Sequence, residues 1–243
     1  MSSLLEIDGL TKRFGGVTAV DACSFAVPAG SVTALVGPNG SGKTTAFNLI
    51  TGYARADAGR ILFGGSTVRR PDPVRLARDG LTRTFQQARI FAQLTLVQNM
   101  VAALQQPWTS VFTGAVRTRE RNRALELLDE FGLARHAEER AGNLSYGQKK
   151  LLEFAAVLMA DPQLVLLDEP TAGVNPVLVE QIEQRITELN ARGLTFLVVE
   201  HNMNLVMRLC DPIVVLDHGT KLAEGSPDEV RNDSRVLDAY LGG

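Results

Sequence analysis

The chain contains no apolar run approaching the roughly 20 residues needed to cross a bilayer, so no membrane-spanning helix is expected. Any task at a membrane would have to run through a separate membrane protein. Cysteine is scarce: Cys23 and Cys210 stand alone, outside any C-x-x-C and away from any histidine pair, and read as reduced core thiols in a cytoplasmic protein. Basic residues are not clustered. With 25 Lys and Arg against 27 Asp and Glu, the formal charge is −2, which argues against a nucleic-acid partner. The opening Met1-Ser2-Ser3-Leu4 lacks a basic region followed by an apolar stretch, so no secretory signal is expected. There is no internal repeat and no low-complexity tract. At 243 residues and 45% hydrophobic, the chain can bury a substantial core as one domain with subdomains.

Against these absences stands Gly37-Pro38-Asn39-Gly40-Ser41-Gly42-Lys43-Thr44-Thr45, which meets every fixed position of G-x-x-x-x-G-K-[ST]. Such a loop turns backbone N–H groups onto phosphate oxygens, and Gly37, Gly40 and Gly42 permit the φ angles and close approach that a Cβ would block. Lys43 would reach the β and γ phosphates. Thr44 would offer its hydroxyl to Mg²⁺, and a helix beginning here would aim its positive end at the anion. Val32-Thr33-Ala34-Leu35-Val36 supplies the buried strand that must precede such a loop. The expected ligand is a nucleotide triphosphate.

Leu164-Val165-Leu166-Leu167-Asp168-Glu169 is a short apolar run ending in two acids, the pattern of a buried parallel strand that delivers carboxylates at its C-terminal edge. Asp168 can hold Mg²⁺ through water, and Glu169 can polarise an attacking water. Alone, this segment would pass for a strand followed by a solvated acidic turn; the phosphate loop is what calls for the acids. Leu4 to Asp8, Val17 to Val27 and Arg60 to Phe63 read as strands of an antiparallel lobe around the first nucleotide strand. From about Leu94 to Leu158 the pattern changes: Ala124, Leu127, Leu128 and Phe131 recur at helical spacing and no strand pattern intervenes, which predicts a helical subdomain. Strand and helix then alternate again, with Leu178, Ile182, Ile186 and Leu189 on one helix face and strands at Thr195 to Val199 and Ile213 to Asp217. Gln106-Pro107-Trp108-Thr109 is the expected flexible insertion.

Between the two nucleotide elements lies Leu144-Ser145-Tyr146-Gly147-Gln148, about twenty residues before the acidic strand, and here the chain resembles the ATP-binding cassette (ABC) ATPases, which read L-S-G-G-Q. Tyr146 is the one departure. The resemblance implies that Ser145, Gly147 and Gln148 cap the γ-phosphate of ATP bound to an opposite subunit, so that two nucleotides are sandwiched between two cassettes. It also implies roles for three further residues. Gln86 fits the glutamine that senses Mg²⁺ and the attacking water, and His201, after Phe196-Leu197-Val198-Val199-Glu200, fits the switch histidine on the γ-phosphate. Phe14 fits the aromatic that stacks on adenine, although on sequence alone a strand-edge core residue reads equally well. A second departure is Asn175 in Ala172-Gly173-Val174-Asn175, where the family's D-loop usually carries Asp; the hydrogen-bonding shape is kept and the charge is lost. This puts the rate of hydrolysis in question.

The fold implied is α/β: a P-loop NTPase (ABC ATPase) core with an antiparallel β lobe and an inserted helical subdomain, one domain over residues 1–243. The core is expected over 1–90 and 160–243 and the helical signature subdomain over 91–159. Wording outside the shared motifs narrows the group. Thr84-Phe85-Gln86-Gln87-Ala88-Arg89-Ile90-Phe91, Glu153, Glu200-His201-Asn202-Met203 and the tail Asp238-Ala239-Tyr240-Leu241-Gly242 resemble the G-type cassette of branched-chain amino-acid (LIV-type) uptake transporters. The F-type typically carries P-E-G-R where this chain has Phe85-Gln86-Gln87-Ala88. The resemblance implies an importer ATPase using ATP and Mg²⁺, peripheral on the cytoplasmic face of the membrane. Its partners would be a second cassette (an F-type subunit or another copy), two permease subunits and a solute-binding protein. Importers of urea or short amides share this wording, so the solute stays open at this point. An ABC ATPase of a non-transport machine is the other alternative, although such proteins usually have paired cassettes, long coiled-coil insertions or basic surfaces. The stretch Arg89-Ile90-Phe91-Ala92-Gln93-Leu94 is expected to receive the permease, unless Phe91 packs into the cassette's own core.

Overall fold

The computed structural model describes residues 2–85, 88–104 and 118–241. The expectations for Gln86 and for Gln106 to Thr109 therefore lie outside the described residues. The most apolar runs form the centre of the molecule: β3 (Val32–Val36), β7 (Leu164–Asp168) and β8 (Thr195–Val199) are buried at every position, as strands covered on both faces must be. With β6 (Leu81–Arg83), β9 (Ile213–Asp217) and β10 (Thr220–Gly225) they make a six-stranded sheet in the order β10-β9-β3-β8-β7-β6. All neighbours in it are parallel except β10, which pairs antiparallel with β9 at the edge.

The strand period of two sends alternate side chains to two separate cores. Ala34, Val36, Val165, Leu167, Phe196 and Val198 face a helical layer made by α3 (Leu96–Ala102), α4 (Thr118–Glu130), α5 (Tyr146–Val157) and α6 (Pro176–Ala191). Leu35, Leu164, Leu166, Leu197 and Val199 face the other way, onto α1 (Lys43–Ile50), α2 (Pro73–Arg78) and a second sheet ordered β2-β1-β4-β5. That antiparallel sheet consists of β1 (Ser3–Phe14), β2 (Val17–Pro28), β4 (Ala58–Phe63) and the short β5 (Ser66–Thr67). In α4 the expected stripe of Ala124, Leu127 and Leu128 is buried. Phe131 follows the helix and meets Phe154 edge-on at 5.1 Å, and Phe154 meets Phe196 of β8 at 6.2 Å, which keys the helical layer to the sheet.

β1 runs six residues beyond the Asp8 at which the sequence pattern ends. Gly9 sits in the left-handed region at φ 61 and the register with β2 shifts between Ile7 and Leu10, so a bulge interrupts the alternation without ending the strand. Chain direction fixes where function can sit. Because β3, β7 and β8 are parallel, the phosphate loop, the acidic pair and His201 all leave the same edge of the sheet. Among the described residues no helix is long and apolar enough to cross a membrane.

Candidate active site

The loop between β3 and α1 needs glycine at two places for contact reasons. A Cβ on Gly37 would run into the Leu216 carbonyl oxygen, and one on Gly42 into that of Ala19. Gly40 meets nothing nearby, so close approach within the molecule does not require it. Gly42 caps α1 with φ 101, and the first turn of that helix carries no acid to neutralise its positive end. Lys43 is 6% exposed, and its ammonium donates to neutral oxygens: Gly37 O at 2.8 Å, Pro38 O at 2.9 Å and Ser41 Oγ at 3.4 Å. Burial lowers its pKa, with the charge of Glu169 acting in the opposite sense. A desolvated cation and an open helix N-terminus on one loop fit an anion such as a phosphate chain.

Asp168 closes β7 and is buried. Its Oδ2 accepts from Arg83 Nη2 at 2.7 Å, and its N–H donates to Thr84 Oγ1 at 3.3 Å. Arg83 also donates to Asn48 Oδ1 (2.8 Å) and Thr51 Oγ1 (3.0 Å) at the end of α1, and lies 5.1 to 5.8 Å from the ring centres of Phe47, Tyr53 and Phe85. This arginine ties the acidic strand to the phosphate-loop helix. Among the described residues no group of three His, Cys, Asp or Glu side chains forms a metal cluster. Mg²⁺ needs none at such a place: one carboxylate and one hydroxyl, with phosphate oxygens and water, suffice, and Asp168 and Thr44 offer that donor set.

Glu169 occupies the left-handed region at φ 48, and its N–H donates to Val199 O at 2.9 Å across to β8. Its Oε1 lies 2.9 Å from Nε2 of His201, so the strand ends bring together the two groups that the sequence keeps 32 residues apart. Behind them Glu200 is buried and holds both loops: Oε1 accepts from the N–H (2.8 Å) and hydroxyl (2.6 Å) of Thr171, and Oε2 from the N–H groups of His201 (3.0 Å) and Asn202 (3.3 Å). Phe14 ends β1 half-exposed, with Lys12 Nζ 5.2 Å from its ring centre, so it is no core residue.

Ser145 caps α5. Its Oγ accepts from Gln148 N–H at 3.3 Å and its N–H donates to Gln148 Oε1 at 2.9 Å, a reciprocal capping box that engages the Gln148 side chain in holding the helix end. Gly147 lies against Leu178 of α6. An open cleft of about 940 Å³ runs beside Ser145, Tyr146, Gly147 and Gln148 to Gly173 and Asn175, and no residue of 37–45 lines it. The signature and the phosphate loop of one chain thus do not share a pocket. Asn175 caps α6 by accepting from Leu178 N–H at 2.9 Å, a job that Asn and Asp do equally well.

Four contributors to this site were not picked out as site residues from the sequence: Arg83, Glu200, Lys150 and Glu153. Lys150 donates to the Glu169 carbonyl at 3.0 Å, and Glu153 accepts from the N–H groups of Phe85 (3.1 Å) and Arg89 (3.2 Å). For Glu153, between Leu152 and Phe154, and Glu200, closing the run Phe196 to Val199, the available signal was a charge set in an apolar run, where it is costly unless paired; Arg83 and Lys150 stand beside polar residues and carried no such signal.

Comparison with known proteins identifies the family. Residues 20–172 match the family model described as ABC transporter, and residues 220–243 match one described as branched-chain amino acid ATP-binding cassette transporter. The chain is 39% identical, over 98% of both chains, to the high-affinity branched-chain amino acid transport ATP-binding protein LivG of Escherichia coli K12. Identity is also 39%, again over 98% of both, to the corresponding BraF protein of Pseudomonas aeruginosa. A solved structure of the ADP conformation of an ATP-binding cassette of an ABC transporter superposes over the whole of both chains with a TM-score of 0.90 at 33% identity. The chain belongs to the ABC transporter family, in which it is an ATP-binding cassette and an ATPase.

Proposed function

We propose that this cassette drives uptake of branched-chain amino acids by closing on ATP together with a second cassette, an F-type subunit or another copy, and reopening on hydrolysis. Each cassette serves one permease subunit at the cytoplasmic face of the membrane, and a solute-binding protein delivers the amino acid. The solute rests on the likeness to LivG and BraF and on the match at residues 220–243. The observation that carries the catalytic reading is the 2.9 Å pairing of Glu169 with His201 at the edge from which the phosphate loop also leaves.

In this reading Lys43 and the N–H groups of residues 37–45 bind the phosphate chain, with Phe14 under the adenine. Thr44, Asp168 and Gln86 hold Mg²⁺, which neutralises charge on the phosphate oxygens when bound. Glu169 takes the proton of the attacking water, and His201 orients that carboxylate and meets the γ-phosphate. Ser145, Gly147 and Gln148 act on the nucleotide of the opposite cassette. This division of labour is supported by the separation of the signature cleft from the phosphate loop. The permease docks at residues 89–94. There Phe91 is half-exposed while buried Asn99 fixes the loop, accepting from Phe91 N–H at 2.7 Å and donating to the Phe91 (3.1 Å) and Thr95 (2.9 Å) carbonyls. Ile90 is half-buried against the helical core, and Phe91 is the more exposed of the two apolar side chains.

Glu169→Gln tests the catalytic reading. Loss of a positioned base is expected to lower turnover by roughly 10² to 10⁴ while a neutral isostere leaves ATP affinity nearly unchanged. A variant that hydrolyses ATP at the parental rate would remove Glu169 from the role.

A further inference from the structure

Helix α5 turns one face toward the catalytic edge through Tyr146, Lys150 and Glu153, spaced i, i+4 and i+7. Each of these touches a different loop. The Tyr146 ring covers the D-loop at Gly173, where an added Cβ would lie 3.4 Å from Tyr146 Cε1. Lys150 Nζ donates to the main-chain carbonyl of Glu169 at 3.0 Å. Glu153 Oε1 accepts the N–H groups of Phe85 and Arg89, which stand on either side of the segment carrying Gln86.

Lys150 is 5% exposed, an unfavourable place for an ammonium, and burial lowers its pKa although Glu153, Glu169, Glu200 and Asp168 all act to hold its charge. Its ammonium lies 5.9 Å from the Tyr146 ring centre on the signature side and is bonded to Glu169 on the other. Glu169 is a residue whose backbone needs holding. The left-handed region is strained for a non-glycine residue and persists only where the surroundings over-determine it. Val199 holds its N–H from the sheet, and Lys150 holds its carbonyl from the helical layer.

We propose that Lys150 is a positioning residue for ATP hydrolysis: by bonding the main chain of Glu169 to the helix that Ser145 caps, it sets the direction of the Glu169 carboxylate and makes that carboxylate follow the signature. The inference rests on the reading of Glu169 as the base. Lys150 acts on the backbone, so its removal weakens the chemical step and spares nucleotide binding. Methionine keeps the length of the stem and loses the donor; arginine keeps both donor and charge.

The test uses the full chain with Mg-ATP, measuring kcat, KM, affinity for a fluorescent ATP analogue and Tm. Lys150→Met is expected to lower kcat on the order of 10- to 100-fold, the scale of a misplaced catalytic group, with KM and analogue affinity within about twofold. Lys150→Arg is expected to recover most of the rate. Should Lys150→Met not fold, Lys150→Gln, which keeps a neutral donor, is judged by the same split between kcat and KM. A parental kcat in Lys150→Met overturns the proposal. So does a joint loss of kcat, affinity and Tm that arginine does not restore, since that marks a purely structural residue. Glu169→Gln measured alongside separates the two readings. If it too turns over at the parental rate, the base is elsewhere and the inference falls with it; if it is inactive while Lys150→Met is not, only the role of Lys150 is wrong.

Discussion

Glu153 shows how much a single buried charge can tell. Burial pushes its pKa up to about 7 from 4.5, against the N–H groups of Arg89 and Phe85 and the charge of Lys150, which favour the ionised form. Below pH 4.5 both folded and unfolded chains hold the proton. Between 4.5 and about 7 the unfolded chain releases it first, so stability falls as pH rises, by roughly 3 kcal/mol at most, and levels off above 7. Glu153→Gln keeps an Oε1 that accepts the same two N–H groups and removes the titration. In thermal melts the parent and the variant should agree near pH 4.5 and diverge by pH 8, with the variant the more stable; parallel curves would contradict this. The two cysteines follow the same physics, with thiols raised by burial to about 11 for Cys23 and about 12 for Cys210, as inert core residues should be. At this scale the sequence was legible where a motif fixes a spacing, as in Gly37 to Thr45. It was not legible for Arg83 and Asp168, or Lys150 and Glu169, because those contacts exist only once strands and helices distant in the chain are packed together.

Elements with one uninterrupted period could be read, and those with a break or a polar cap could not. β3, β7 and β8 are unbroken apolar runs, and the stripe Leu178, Ile182, Ile186 and Leu189 of α6 is buried as its spacing requires. β1 outran its pattern because a bulge at Gly9 hides its second half. The helix Pro227–Asn232 and α3 start at capping boxes, Ser226 with Glu229 and Thr95 with Gln98, which a reading by apolar period passes over. In the proposed docking α3 matters as well, since its Asn99 holds the loop that carries Phe91. Because Phe91 is half-exposed, Phe91→Ala should leave the Tm and basal ATPase of the isolated chain unchanged while abolishing solute uptake by the assembled transporter. A joint fall in Tm and ATPase would place Phe91 in the cassette's own packing instead.

For the whole molecule the decisive feature is incompleteness. Lys43 and the phosphate loop leave one sheet edge, while Ser145 and Gly147 line a different cleft of the same chain. In the proposed reading, one chain therefore supplies one half of each of two sites. ATP bound between a phosphate loop and a partner's signature becomes part of the interface, so nucleotide should drive association by linkage. Light scattering of Glu169→Gln, alone and with the F-type partner, measures this directly because the variant is expected to hold ATP without consuming it. A monomer without nucleotide and a mass near twice that with Mg-ATP is the predicted result; a mass that ATP leaves unchanged in both preparations would contradict a shared site.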